Sequence, residues 1–384
     1  MSRTAEWLTG GLFIVTVLVL GVLSLVPMSH YWPAGDTNVL TGEWSRKVES
    51  HYDDNFPVRD LGTNVWAAID YTLFNEGRQG VIVGKNGWLF SQEEFFAPPN
   101  EDHAVSVNLD RVVAIRNFLA QHKIPMTVLV VPAKARVYQD KLAGRHPAPV
   151  MESLYQRFMK TLDKARINAP DLAPVLASRA ESGRPMFLRT DTHWTPEGAD
   201  LFARRAATAI RDRYNGPAWS WGEQTFATTR EPERVHRGDL LNYIPVAPLF
   251  SKFGPRPDHF SPRQTHIVSD DASESQSLFG ATTPDVVLVG TSYSANPLWD
   301  FPGALRKYLG HDLINQSEEG EGPFAPMVQY LKSDDFSEHP PSLVIWEFPE
   351  RYLAQPLDNE MAKNWFRQSG TLIAAGQTEQ QTVH

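Results

Sequence analysis

The residues of types that could form a catalytic site lie in two short stretches far apart in the chain. Residues 189–196 read Arg-Thr-Asp-Thr-His-Trp-Thr-Pro, so a carboxylate, Asp191, stands two positions before an imidazole, His193. Residues 286–294 place Ser292 just after a short apolar run. A serine hydroxyl becomes a good nucleophile when a histidine takes its proton and a carboxylate orients that histidine. The three residue types therefore predict acyl transfer, with Ser292 as nucleophile, His193 as general base and Asp191 as its orienting partner.

Each stretch also has an ordinary explanation. Asp191 suits the capping of a turn, Gly-Thr-Ser suits a simple turn, and the G-x-S-x-G elbow of many serine hydrolases is absent. Asp191 and His193 are also ligand types for a metal, but no third or fourth ligand follows at a recognisable spacing, so no metal site is predicted.

The elements that must position these residues form an α/β pattern. Apolar runs predict strands, and stretches of helical periodicity between them predict helices, which together indicate a mainly parallel sheet. The predicted strands are 126–131, 185–188, 286–289, 312–314 and 342–347, and the predicted helices are 107–122, 151–167, 196–214, 297–309 and 326–331. A hairpin is predicted around Lys85-Asn86-Gly87.

Ligands of parallel α/β sheets bind where the loops leave the carboxyl ends of the strands. Ser292 follows strand 286–289, and Asp191 and His193 follow the predicted strand 185–188. In an extended segment, residues two apart face the same side, so Asp191 and His193 are expected to point together into that crevice. Backbone N–H groups at Ser292 and in the turn 320–322 are expected to stabilise an oxyanion.

The first residues differ from the rest of the chain. No charged side chain occurs between Trp7 and Met28, and such a run is long enough to span a bilayer as a helix. An uncleaved signal-anchor is the favoured interpretation, with a cleaved signal peptide and a buried core helix as alternatives. The predicted organisation is an anchor over 1–30, a helical region over 31–77, one domain over 78–355 with an insertion at 215–280, and a polar tail over 356–384.

Composition excludes several classes of protein. The formal net charge of −9 argues against binding to nucleic acid. The absence of cysteine excludes disulfide scaffolds, thiol catalysis and cysteine-bound zinc.

The motifs resemble those of a known family. The stretches 189–196, 289–296, 320–324 and 345–353, supported by 84–90 and 131–136, are similar to the AlgJ/AlgX group of SGNH-hydrolase-like O-acetyltransferases. The resemblance covers nearly the whole chain, and the lack of an added carbohydrate-binding module points to the AlgJ type, a probable alginate O-acetyltransferase. It implies a flavodoxin-like SGNH fold, a parallel sheet flanked by helices, with a circularly permuted motif order and a preceding membrane-anchor helix.

The resemblance also implies roles and surroundings for the site. It supports the Ser292, His193 and Asp191 assignments, and Tyr293, Gly322, Lys134 and Arg351 are the further candidates for oxyanion or substrate contacts. No cofactor is expected. The implied location is the periplasmic side of the inner membrane, with a membrane-bound O-acyltransferase supplying acetyl groups, other alginate acetylation and secretion proteins, and alginate as acceptor. An acetyl esterase and a non-catalytic acetyl relay or scaffold remain the alternative functions.

Overall fold

The computed structural model describes residues 3–33, 38–96, 98–217, 219, 221–268 and 285–369, with side chains from residue 7 onward. These residues form two compact units. One comprises the chain up to Arg78 together with Tyr243–Gly254, and the other comprises Gln79–Asn242 and the chain from Pro255 onward. The first division falls after Arg78, and Tyr243–Gly254 belongs to the N-terminal unit.

The N-terminal unit is helical. Helix α1 spans Arg3–Met28, α2 spans Glu43–Asp54, and α3 spans Arg59–Ile69 before a π-helical turn at Asp70–Phe74. The segment Tyr243–Gly254 joins this unit through hydrogen bonds, because the Asn64 side chain donates to the Pro245 carbonyl at 2.8 Å. Within α1, Trp7–Met28 is long and apolar enough to cross a membrane.

The apolar side chains of α1 face outward. Trp7 is 81% exposed and Phe13 is 69% exposed. The alternative of a buried core helix therefore does not fit the structure. An anchor and a signal sequence both remain compatible with it.

The larger unit is built on a sheet of four parallel strands, whose order across the sheet is Met126–Val131, Leu343–Pro349, Val286–Val289 and Ile314–Asn315. The strands of this unit are β1 (Val81–Val83), β2 (Leu89–Ser91), β3 (Met126–Val131), β4 (Phe226–Arg230), β5 (Arg234–His236), β6 (Asp258–Phe260), β7 (Arg263–Ile267), β8 (Val286–Val289), β9 (Ile314–Asn315) and β10 (Leu343–Pro349). Its helices are α4 (Glu101–Gln121), α5 (Lys134–Val137), α6 (Pro149–Lys164), α7 (Ala173–Glu181), α8 (Pro196–Arg213), α9 (Ser292–Ala295), α10 (Phe301–Leu309), α11 (Phe324–Leu331) and α12 (Asp334–Glu338).

The central sheet is buried on both faces. Val128 and Val130 of β3 belong to one hydrophobic cluster, whereas the alternate residues Leu129 and Val131 belong to the other. Helices cover each face, so a strand of this sheet needs apolar side chains at every position rather than at every second one. The nearly continuous apolar runs that predicted β3, β8 and β10 follow from this, and the predicted parallel α/β sheet is confirmed.

One predicted strand is wrong. Residues 185–188 pair with no strand of the sheet; Phe187 makes only an isolated antiparallel bridge with Trp194. The segment is one arm of a narrow loop, in which Leu188 N–H donates to the His193 carbonyl and Thr195 N–H to the Met186 carbonyl. Its apolar residues are buried by helix packing rather than by strand pairing, and a short apolar run does not distinguish the two.

Two regions have more structure than their sequence indicates. Between 215 and 268, β4 pairs antiparallel with β7, and β5 with β6; residues 269–280 of the predicted insertion lie outside the described residues. In the predicted polar tail, residues 360–369 are helical, and Ala362 and Trp365 are buried in the core, while 370–384 lie outside the described residues. The domain core therefore extends past residue 355.

Candidate active site

Ser292 stands at the start of α9, directly after the turn that ends β8. The Thr291 side chain caps this short helix by accepting from the Tyr293 N–H at 3.4 Å. The buried Glu347 of β10 holds the turn, because its carboxylate accepts from Thr291 N–H at 2.8 Å and from the Ser294 hydroxyl at 3.0 Å. Gly290 leaves room for that carboxylate, since a Cβ there would lie 2.5 Å from Glu347 Oε2.

Ser292, His193 and Asp191 form one hydrogen-bonded chain. The Ser292 Oγ lies 2.7 Å from His193 Nε2, and His193 Nδ1 lies 2.6 Å from Asp191 Oδ1. The His193 ring is fixed between two aromatic side chains, with ring centroids 4.8 Å from Tyr293 and 5.4 Å from Trp299. Within the described residues the three predicted side chains therefore meet, in the order that general-base activation of a serine requires.

Asp191 and His193 face the same side, as predicted, but the cause is a tight turn and not an extended segment. Asp191 Oδ1 also accepts from the His193 backbone N–H at 2.9 Å, which closes a tight turn of the Asx type. The side chain of the intervening residue, Thr192, donates to the carboxylate of Asp239. The two catalytic candidates are thus held by a folded loop tip and not by strand alternation.

The Asp191 carboxylate accepts four hydrogen bonds. Besides the two from His193 on Oδ1, its Oδ2 lies 2.8 Å from His236 Nε2 and accepts from the Asp239 N–H at 3.1 Å. Burial alone would raise the pKa of Asp191, but the hydrogen bonds from His193 and His236 outweigh it and hold that pKa well below the ordinary value. Asp191 is therefore ionised in the folded protein and suited to orient His193.

Sequence patterns did not reveal a second segment of the chain that supports the loop carrying Asp191 and His193. His236, Asp239 and Asp258 come from the 215–268 region, and Asp258 accepts from the backbone N–H groups of Arg189 at 2.9 Å and Thr190 at 2.8 Å. These residues lie far from Asp191 in sequence, in a segment without helical or alternating periodicity, so no spacing signal links them to it. The insertion therefore holds the loop that carries Asp191 and His193.

Lys134, Tyr293 and Arg351, three of the four further candidates, lie behind the loop that carries Asp191 and His193 and form hydrogen bonds within the protein. Lys134 is fully buried, and its ammonium group donates to the carbonyls of Leu89, Arg189 and Asp191 at 2.6–3.0 Å. Burial lowers the pKa of Lys134 to about 8. The Tyr293 hydroxyl donates to the Thr192 carbonyl at 2.6 Å.

Arg351 completes this support. It is buried, and it donates to the Tyr293 hydroxyl at 3.2 Å and to Glu93 at 3.2 Å. Arg351 Nε and Nη1, the Tyr293 hydroxyl and Lys134 Nζ each have a hydrogen-bond partner within the protein. In the structure the position of these side chains suits support of the Asp191–His193 loop.

The backbone offers a free donor at the nucleophile. The Ser292 N–H has no acceptor among the described residues, as expected for the first turn of a helix. Gly322 has a φ of +66° and lies in the wall of a cavity of about 450 Å³ with Tyr352 and Pro356. The structure places no hydrogen bond between Gly322 and the three-residue chain.

The acidic groups here could also suggest a metal. Ligand atoms of Asp191, His193 and Asp239 lie within 4.8 Å of one another. However, Asp191 already accepts on both oxygens, and Asp239 accepts from the N–H and the hydroxyl of Thr192. A metal would have to displace these hydrogen bonds, so the donor set fits a hydrogen-bonded network better than a metal site.

Comparison with known proteins decides the family. Residues 81–350 match the family described as the SGNH hydrolase-like domain of the acetyltransferase AlgX. The chain belongs to this family. The chain is 44% identical to a probable alginate O-acetylase AlgJ of Pseudomonas fluorescens over 363 residues. The aligned residues cover 94% of this chain and 90% of that protein. It is 42% identical over 382 residues to a protein of the same description from Azotobacter vinelandii, across 99% of this chain and 97% of that one.

A solved structure shows the same fold. The O-acetyltransferase domain of Pseudomonas putida AlgJ superposes with a TM-score of 0.67 at 39% identity, covering 76% of this chain and 98% of that domain. The SGNH-like fold with an N-terminal apolar helix is therefore established for this chain.

Proposed function

We propose that this protein is an O-acetyltransferase that adds acetyl groups to hydroxyls of mannuronate residues in alginate. The observation that carries the proposal is the hydrogen-bonded chain from Ser292 through His193 to Asp191. The relatives described as probable alginate O-acetylases support the choice of acetyl as the transferred group and alginate as the acceptor.

In the first half-reaction, Ser292 Oγ attacks the carbonyl carbon of an acetyl donor while His193 Nε2 takes the hydroxyl proton. Asp191 stabilises the imidazolium that forms, and the free Ser292 N–H is the donor available to the oxyanion. The bond between the acetyl carbon and its leaving group then breaks, and His193 gives its proton to that group. Ser292 is left as an acetyl ester.

In the second half-reaction, a sugar hydroxyl takes the place of the leaving group. His193 removes the hydroxyl proton, the sugar oxygen attacks the ester carbonyl, and the bond to Ser292 Oγ breaks. His193 returns the proton to Ser292, so the enzyme regains its starting state. Water in place of the sugar would release acetate instead.

The N-terminal helix supports a location in the cell envelope. Helix α1 is apolar enough to span a bilayer, and we assign it as an uncleaved anchor in the inner membrane with the larger unit on the periplasmic side. A membrane-bound O-acyltransferase that passes acetyl groups across the membrane is the proposed source of the donor, together with other proteins of alginate acetylation and secretion.

The proposal is tested by following both products. Full-length protein is incubated with an activated acetyl ester and an oligomannuronate, and acetylated sugar and free acetate are quantified. We expect acetylated sugar from the wild type and none from Ser292→Ala or His193→Ala. Acetate without acetylated sugar would instead identify an esterase, and cells carrying His193→Ala that still made fully acetylated polymer would indicate a scaffold.

A further inference from the structure

A second cavity of the larger unit is strongly cationic. It has a volume of about 410 Å³ and lies between α7, α8, α10 and the β4–β7 pair. Its charged lining residues are Arg179, Arg184, Glu197, Asp200, Arg204, Arg230, Arg263 and Lys307. Six cations against two carboxylates stand out in a chain whose formal charge is −9. We refer to it as the arginine pocket.

The cations of the arginine pocket are of two kinds. Arg184 and Arg263 are neutralised, since Arg184 pairs with Glu197 at 3.0 Å and Arg263 with Asp200 at 3.2 Å. Arg179, Arg204, Arg230 and Lys307 form no ion pair with any described carboxylate, and the Lys307 ammonium donates to the Thr228 hydroxyl at 3.0 Å. These three arginines are exposed, and their positive charges would attract an anionic ligand bound among them.

The remaining lining restricts the chemistry of that ligand. Hydroxyl groups of Tyr308 and Thr228 and the carboxylates of Glu197 and Asp200 share the pocket with the arginines. Carboxylates repel a compact anion such as phosphate, but they accept hydrogen bonds from sugar hydroxyls. A ligand that carries both carboxylates and hydroxyls fits this mixture, and the volume is in the usual range of roughly 300–1,000 Å³ for small-ligand pockets.

The arginine pocket is physically tied to the candidate active site. Met186 lies in its wall, and the Met186 carbonyl accepts from Thr195 N–H at 2.9 Å within the loop that carries His193. None of the residues Ser292, His193 and Asp191 lines the pocket. It is therefore a separate site, joined to the candidate active site by one short loop.

We propose that the arginine pocket binds uronate residues of an acidic oligosaccharide, with Arg204 and Arg230 as principal carboxylate contacts. The proposal rests on the acetyl-transfer function proposed above and adds to it a second place where the acceptor chain is held. An acceptor bound at both places would be retained between successive transfers.

The test uses the full-length chain and compares two variants that lose the same charge. Arg204→Gln/Arg230→Gln removes two unpaired arginines of the pocket. Arg205→Gln/Arg213→Gln removes two exposed arginines of α8 outside it. The probes are an oligomannuronate, a neutral mannose oligosaccharide of equal length, and inorganic phosphate, titrated calorimetrically at one fixed ionic strength.

We expect oligomannuronate to bind the wild type, with a Kd about tenfold weaker in the pocket variant and within about twofold of wild type in the control variant. The neutral oligosaccharide and phosphate should bind much more weakly than oligomannuronate. Melting curves check folding, and the single substitutions Arg204→Gln and Arg230→Gln provide the same comparison if the double variant unfolds.

Three results would overturn the proposal: no binding of oligomannuronate, equal weakening in the pocket and control variants, or phosphate bound as tightly as oligomannuronate. Failure of the acetyl-transfer function gives a different signature. In that case the wild type would produce no acetylated sugar, or Ser292→Ala would produce as much as the wild type, whatever the arginine variants bind.

Discussion

At the scale of residues, Asp191 connects His193 to the residues that hold the site in place. One carboxylate oxygen orients His193, while the other is held by His236 and by the Asp239 backbone. The Asp191 carboxylate therefore cannot rotate without breaking hydrogen bonds on both oxygens, and its ionised form is stabilised by the same contacts. The position of His193 relative to Ser292 depends on residues that never reach the serine.

Removing His236 tests this dependence. His236→Ala takes away the donor to Asp191 Oδ2, so we expect kcat to fall roughly tenfold, with KM for the acetyl donor little changed. His236→Gln, whose amide can donate to the same oxygen, should recover much of the loss. Steady-state hydrolysis of an activated acetyl ester measures both constants.

His259→Ala is the matched control, because His259 is exposed on β6, the strand paired with the β5 strand that carries His236. If His236→Ala behaved like His259→Ala, His236 would have no positioning role.

Glu347 provides a pH-dependent test of the turn that carries Ser292. Burial, only partly offset by hydrogen bonds from Thr291 and Ser294, raises the pKa of Glu347 from 4.5 to about 7. Between pH 4.5 and about 7, Glu347 binds more protons in the folded protein than in the unfolded chain. The protonated Glu347 therefore contributes to the free energy of unfolding, and this contribution is lost as pH rises through 7. The loss is at most about 3 kcal/mol.

Glu347→Gln cannot ionise and should remove this contribution. We expect the free energy of unfolding of the wild type to fall relative to Glu347→Gln between about pH 5 and pH 8. Urea unfolding at several pH values gives the difference. A difference that stayed constant over this interval would show that Glu347 does not titrate there.

At the scale of elements, the sequence predicts the strands and helices that leave a pattern in their own residues. Strands β3, β8 and β10, the β1–β2 hairpin and the start of α8 were all predicted. Burial on both faces of a sheet, hairpin turns and helix starts such as the one capped by Thr195 all leave clear sequence patterns. The β4–β7 and β5–β6 pairs were missed, because their residues are largely half-buried or exposed and lack apolar alternation.

The same limit applied to the site. Ser292, His193 and Asp191 could be proposed from residue types and from family resemblance. His236 and Asp258 could not, because only the folded chain brings the two loops together. The side chains of Lys134 and Arg351 were predicted to meet ligand, but a charged residue that follows a strand gives no sign of whether its charge faces the crevice or the loop beneath it.

Close approach of the two loops depends on Gly238. A Cβ there would lie 2.1 Å from the Thr190 carbonyl oxygen, which is too close for backbone atoms to accommodate. We expect Gly238→Ala to push the His236–Asp239 segment away from Asp191 and to lower both the melting temperature and ester hydrolysis.

The control is Gly62→Ala in α3, where no described atom lies within 4 Å of the added Cβ. This substitution should leave the melting temperature unchanged or slightly raised, because alanine favours helix more than glycine does. Two variants that behaved alike would contradict the packing argument.

At the scale of the whole molecule, the exposed apolar helix α1 requires an environment other than water. Leu12 is 69% exposed and Leu18 is 62% exposed, and a continuous apolar surface of this kind is typical of a membrane-spanning segment.

An uncleaved anchor predicts where the mature protein is found. We expect it in the membrane fraction after an alkaline wash, with the peptide containing Trp7 retained in its mass spectrum. Deletion of residues 1–30 should release the chain into the soluble fraction. A mature wild-type chain that begins after Met28 and is soluble would identify α1 as a cleaved signal peptide.

The central claim is that Ser292 carries the acetyl group. The most direct measurement is peptide mass spectrometry after brief exposure of the full-length protein to an activated acetyl ester, with Ser292→Ala and His193→Ala treated alongside. We predict an acetyl adduct on Ser292 in the wild type, no adduct in the Ser292→Ala peptide, and far slower labelling in His193→Ala. Wild-type protein that consumes the ester without labelling Ser292, or that labels equally fast without His193, would contradict the account.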